Sequence, residues 1–114
     1  ETCDRRNNSN LNYGISICKY TGSRGKGGAS DASAEAMCHI RKTFDEADVI
    51  WQIATLGKVD QGGGGTIAFI TAEYPMDVID LGIPLHNMHA PWEVAAKSDI
   101  FEAYRAYKVF LQEA

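Results

Sequence analysis

Two histidines three residues apart, His86 and His89 in the string HNMHAPWE (His86–Glu93), have the type and spacing that could hold a metal ion. In an extended segment, residues three apart point to opposite faces. Both imidazoles could reach one ion only if the chain bent between them, so the segment is read as offering one ligand rather than two. A lone histidine is also a common structural hydrogen-bonder, and both readings stay open on these residues alone. Cys38 and His39 are neighbours on an expected helix, where adjacent side chains diverge. They do not make a thiolate–imidazole pair, and no carboxylate pair announces acid–base chemistry.

Two glycine-rich stretches could approach a ligand. The first, GSRGKGG (Gly22–Gly28), looks like a phosphate loop but fails its pattern, because Gly25-Lys26 is followed by Gly27 and not by a Ser or Thr. Such a hydroxyl is needed to reach Mg²⁺. What remains is a basic loop, whose Arg24 or Lys26 could lie near a substrate carboxylate or a subunit contact. The second, DQGGGGT (Asp60–Thr66), has four consecutive glycines. A plain turn needs one or two, and each glycine costs chain entropy on folding. Close approach of a backbone or ligand is one reason to keep four, with the N–H groups ahead of the next helix facing it. A flexible surface loop is the other reading. The order is not that of a dinucleotide site.

Composition limits the partners. The chain has 114 residues, 45 % hydrophobic and 23 % charged, which suits a folded globular unit and not a disordered one. A net charge of -4 gives no basic face for nucleic acid or an anionic membrane surface. No apolar run is long enough to span a bilayer. Three cysteines, Cys3, Cys18 and Cys38, without CxxC spacing argue against a disulfide framework and for a reducing, cytoplasmic setting.

The elements that must position these residues follow from periodicity. Residues 1–12 are polar and Asn-rich and read as a loop. Tyr13–Tyr20 alternates with Ile15 and Ile17 on one side and reads as a strand. A helix is expected over Asp31–Ala47, with Met37, Ile40, Phe44 and Ala47 on one face and Ser30 or Asp31 as cap. Val49–Ala54 reads as a second strand. Thr66–Glu73 reads as a short apolar helix, Val78–Leu81 as a third strand, and Gly82–Ala90 as extended and a possible fourth. The last helix is expected from near Pro91, with Ile100, Tyr104, Tyr107 and Leu111 stacked along its apolar face. The alternation predicts an α/β fold, a layered mixed sheet flanked by helices, with a thin sheet and an open edge.

Three strings, taken together, resemble one family. YGISICKYTGSRGKGGASDASAE (Tyr13–Glu35), WQIATLGKVDQGGGGTIA (Trp51–Ala68) and DVIDLGIPLHNMHAPWEVAAKSDIFEAYRAYKVFL (Asp77–Leu111) are similar to the aminopeptidase I / aspartyl aminopeptidase family, the eighteenth metallopeptidase family. The looser pattern G-I-P followed by M-H-x-P-x-E also resembles the related tetrahedral aminopeptidases, the near alternative. The resemblance implies a zinc-dependent, two-metal aminopeptidase of α/β fold that releases N-terminal residues from peptide substrates. Metal-activated water does the hydrolysis, and a carboxylate acts as general base.

Carried over residue by residue, the resemblance places the family's last zinc ligand on His89. His86 falls where relatives carry an apolar residue. It places Gly64, Gly65 and Thr66 near the bound peptide, and Lys19 near the substrate side chain in acid-preferring relatives. The chain departs from the family at Gly25-Lys26-Gly27-Gly28, where many relatives have an aromatic, which leaves the preferred side chain open. The family's other ligand strings and its general base fall upstream of the matched segments and are not in this sequence. Residues 1–114 are therefore expected to be the C-terminal part of a catalytic domain, without its upstream part or its dimerisation domain, and inactive alone. The full-length enzyme is expected to be a homo-oligomer. A non-enzymatic assembly module, pairing through the open sheet edge, is the competing expectation.

Overall fold

A computed structural model of the chain describes residues 5–22, 28–55 and 66–113. Its central strand, β1 (Ile15–Thr21), is entered through Gly14 at φ +88°. A Cβ at that position would lie 2.0 Å from the Ile50 carbonyl oxygen, so only glycine fits. The same carbonyl accepts the Ile15 N–H at 3.1 Å and starts the register with β3 (Trp51–Thr55), which runs parallel to β1. On its other edge β1 pairs antiparallel with β2 (Ser30–Asp31) near its end and with β4 (Asp80–Gly82) near its start. The result is a mixed four-stranded sheet.

Alternation along β1 sends Ile15 and Ile17, both fully buried, into a core shared with α1 (Ala34–Glu46) and α3 (Lys97–Glu113). Met37, Ile40 and Phe44 reach this core from α1 at helical spacing. Ser33 caps α1, its hydroxyl accepting the Ala36 N–H at 3.1 Å. The cap expected at Ser30 or Asp31 is corrected, because those two residues pair with Thr21 and Tyr20. At the other end Asp48 takes φ 53°, and the N–H groups of Asp48 and Val49 return to the carbonyls of Asp45 and Phe44. These are the paired bonds of a Schellman stop. Buried Val49 packs in the same cluster as buried Phe44, and the chain leaves directly into β3.

Three further expectations are corrected. The short helix is α2, only Ala68–Thr71. The fourth strand does not join the sheet. Leu85–His86 (β5) instead pairs antiparallel with Val94–Ala95 (β6) in a separate ribbon, which keeps the chain extended past Pro91 and delays α3 to Lys97. The third correction is which side of α3 faces inward. Its buried residues are Asp99, Glu102, Ala103 and Ala106, while Ile100, Tyr104, Tyr107 and Leu111 stand 45–72 % exposed.

The physical reason lies in backbone groups. Asp99 accepts the N–H groups of Asn12 (2.8 Å) and Gly14 (2.9 Å). Glu102 accepts the Ile50 N–H at 2.9 Å, and Arg105 bonds both Glu102 and the Ala47 carbonyl. Small Ala103 and Ala106 let the helix approach closely enough for these bonds to form. Among the described residues no helix is long and apolar enough to cross a membrane.

This arrangement predicts an inverted mutational profile for α3. Asp99→Ala strands two amides and is expected to cost about 3 kcal/mol. Gly14→Ala is expected to cost about 2 kcal/mol or more. Tyr104→Ala, on the apolar stripe, is expected to stay within about 0.5 kcal/mol. Urea unfolding of the three variants checks the order. A Tyr104→Ala loss larger than that of Asp99→Ala would contradict it.

Candidate metal-ligand loop and substrate wall

The two-stranded ribbon exists to present a loop. Pairing of Leu85 with Ala95 and of His86 with Val94 closes its base. Between them the chain turns at Asn87 (φ 55°), whose carbonyl accepts the Ala90 N–H at 2.9 Å, and at His89 (φ 66°). The Asn87 side-chain amide donates to the Trp92 carbonyl at 3.3 Å. The His89 N–H donates to Glu93 Oε1 at 3.3 Å. Left-handed backbone costs a residue with a Cβ about 1–2 kcal/mol, less for Asn, so this conformation at His89 needs support from its surroundings. The chain bends between the two histidines, as a shared ligand pair would require. His86 keeps its strand pairing, and His89 occupies the turn.

His89 is exposed, and its imidazole makes no hydrogen bond or ion pair among the described residues. Its donor chemistry therefore suits a metal ligand. However, no group of three or more His, Cys, Asp or Glu able to hold an ion occurs among the described residues. A zinc site normally needs three or four protein ligands. The described residues fit zinc as the source of one ligand and not as a closed site.

The other expected site residues lie on separate elements. Lys19, on β1, has its ammonium against the Asp31 carboxylate and donates to the Ala32 carbonyl at 2.7 Å. With the Ala32 N–H bonded to the Lys19 carbonyl at 3.0 Å, this fastens the end of β1 to the entry of α1. Lys19 also borders a groove of about 680 Å³ walled by Met37, Cys38, Arg41 and Ile53. Thr66 precedes α2, and its hydroxyl accepts the Ala68 N–H at 3.2 Å. Gly64 and Gly65 lie outside the described residues, as does most of the first glycine-rich stretch, residues 23–27. A second groove, about 910 Å³, runs between α1, α2, β4 and the outward side of α3. Neither groove is lined by His89 or Thr66, and no described hydrogen bond joins Lys19, Thr66 and His89.

Sequence reading passed over Asp31 as a helix-start residue and left Glu93 unassigned. No local signal marks Glu93, because the turn that brings its carboxylate to the His89 N–H is not fixed by residue type.

The family model of the aminopeptidase I zinc metalloproteases (M18) matches residues 1–111. The chain belongs to the M18 family. A probable M18 family aminopeptidase 1 of Clostridium acetobutylicum is 55 % identical over 108 residues, covering 95 % of this chain and 23 % of that relative. A crystal structure of an M18 aminopeptidase from Thermotoga maritima superposes with a TM-score of 0.89 at 52 % identity, covering 96 % of this chain and 24 % of that one. The chain thus spans about a quarter of the length of the M18 relatives it matches. PhTET1-12s, solved as a dodecamer, superposes with a TM-score of 0.72 at 16 % identity, over 90 % of this chain and 28 % of its own. That likeness is one of fold alone.

Cys18, on β1, supplies a pH prediction. Burial pushes its thiol up to about 11, with the Asp80 carboxylate across the β1–β4 pair adding to the rise and the Ser16 hydroxyl opposing it. A raised acid keeps its proton longer when folded. Its contribution is full below the ordinary value of 9.0 and is lost as pH climbs from there to about 11. The unfolding midpoint should therefore fall over that window, less steeply in Cys18→Ala, and alkylation of Cys18 should stay slow below it. Fast alkylation of Cys18 in the folded chain at pH 9 would contradict the assignment.

Proposed function

We propose that this chain is the C-terminal part of the catalytic domain of an M18 zinc aminopeptidase, which removes N-terminal residues from peptides. The reading is carried by the M18 match over residues 1–111, together with an exposed His89 held in a shaped loop. His89 would be the zinc ligand. Lys19, Gly64, Gly65 and Thr66 would form part of the wall against the peptide. Bound zinc, or another divalent metal, would supply Lewis-acid activation of water and of the scissile carbonyl. The remaining ligands and the general base would come from outside residues 1–114, so the chain alone is expected to be inactive. The Lys19–Asp31 pair bears on substrate choice, since an ammonium already facing a carboxylate attracts a second one less strongly. The full-length enzyme would be a homo-oligomer in the cytoplasm, acting on peptides and not on nucleic acid or membranes.

A second reading, a non-enzymatic assembly module, has one observation in its favour. Large apolar residues stand outward along α3. Sedimentation of the pure chain tests it, because a strict monomer would count against the module.

The enzyme reading is tested by a chimera in which this chain replaces the matching quarter of the Thermotoga maritima relative. The chimera should hydrolyse peptides with a free N-terminus. His89→Ala within it should lower kcat/KM by about 100-fold or more, as expected on loss of a metal ligand whose outer partners alone are worth about 10–100-fold. The chain by itself should hold less than one zinc ion. Two tightly held ions, or turnover by the chain alone, would overturn the account.

A further inference from the structure

We propose that Glu93 is a positioning residue for His89. Its carboxylate holds the His89 backbone in the left-handed region and so fixes the direction in which the imidazole leaves the loop. The proposal rests on the reading of His89 as a metal ligand and adds what keeps that ligand in place.

Three observations carry it. First, His89 sits at φ 66° with a full side chain, where changing φ to an extended value would swing its Cβ to another side of the chain. The direction of the Cα–Cβ bond, from which the imidazole departs, is therefore tied to that torsion. Second, the Glu93 Oε1 accepts the His89 N–H at 3.3 Å, the hydrogen bond that a flipped backbone would break. Third, Glu93 has no other described role. It forms none of the described ion pairs, it precedes β6 without joining it, and α3 begins four residues later at Lys97. Asn87 braces the same turn from the opposite end, through its side-chain amide to the Trp92 carbonyl. Both bonds run from the entry side of the loop to its exit side, and they differ in which partner is backbone. One runs from the amide at the turn to the side chain near the exit, the other from the side chain near the entry to the carbonyl at the exit.

An oriented ligand binds metal more tightly than one that must be ordered on binding, because the ordering entropy is already lost. Groups that orient ligands typically change metal affinity by about 10–100-fold. Glu93→Gln keeps an acceptor oxygen at the same reach and should preserve the geometry. Glu93→Ala removes the acceptor.

The test uses the 114-residue chain and nuclear magnetic resonance. The φ-dependent couplings and amide exchange rate of His89 are measured in the wild type, Glu93→Ala and Glu93→Gln. Zinc chloride is then titrated while the imidazole signals are followed, with His39 and His86 as internal references. The expected result is a left-handed His89 in the wild type and in Glu93→Gln. In Glu93→Ala the couplings should average, amide exchange should accelerate by about threefold to tenfold, and the zinc-induced shift of His89 should need about tenfold more zinc. Couplings and exchange unmoved by Glu93→Ala would overturn the positioning role. So would a zinc response at His89 identical in all three chains. An imidazole untouched by zinc, with couplings that still respond to Glu93→Ala, would overturn the metal reading while leaving the backbone lock standing.

Discussion

Asp99 is fully buried and has two backbone amides to satisfy. A buried carboxylate without partners is costly, and so are buried amides without acceptors. Each cancels the other's cost only when the first turn of α3 lies directly against the turn that leads into β1. Glu102 repeats the arrangement at the Ile50 N–H ahead of β3, and Arg105 ties that carboxylate to the carbonyl at the end of α1. The starts of two parallel strands and the end of the helix between them are thus held by three side chains of one helix. The position of the sheet relative to both helices depends on this polar seam, with the aliphatic core of Ile15, Ile17, Met37, Ile40 and Phe44 closing around it.

The seam also decides what α3 shows to the outside. Charged residues occupy the inward positions with two alanines beside them, so the large apolar side chains have nowhere to go but outward. Tyr107 is a partial exception. Its hydroxyl donates to the Leu81 carbonyl at 2.9 Å, and its pKa is raised by burial, by the Asp80 carboxylate and by Cys18. The outward side borders the larger groove, whose lining is mostly apolar. In a chain that spans about a quarter of its relatives, such a face is a surface on which further structure can pack.

Where local signals and burial agreed, the sequence could be read. The alternation around Ile15 and Ile17 marked β1, and the three-and-four spacing of Met37, Ile40 and Phe44 marked α1. The period of α3 was legible but its direction was not, because periodicity locates a stripe without saying which side meets the core. That was settled by acceptors for particular amides, a tertiary matter. The end of the possible fourth strand misled for a similar reason. Extended residues at Leu85–His86 do not reveal whether their partner is the sheet or a segment such as Val94–Ala95 later in the chain. His89 stood out by type and by its string. Its left-handed backbone and its bond to Glu93 did not, since nothing in residue type alone distinguishes that turn from a continued strand.

The bonds from Asn12 and Gly14 to Asp99 span 87 and 85 positions of sequence. A ribosome makes the first strand long before it makes the acceptor for that strand's opening amides. During synthesis, β1 and its glycine turn can gather α1 and β3 around them, yet their entry stays solvated and unfastened. Fastening comes only when the last helix has left the exit tunnel. Within these residues the last helix therefore acts as a latch on a strand made well before it, and loss of this helix through premature termination would leave an unlocked sheet exposed to proteases.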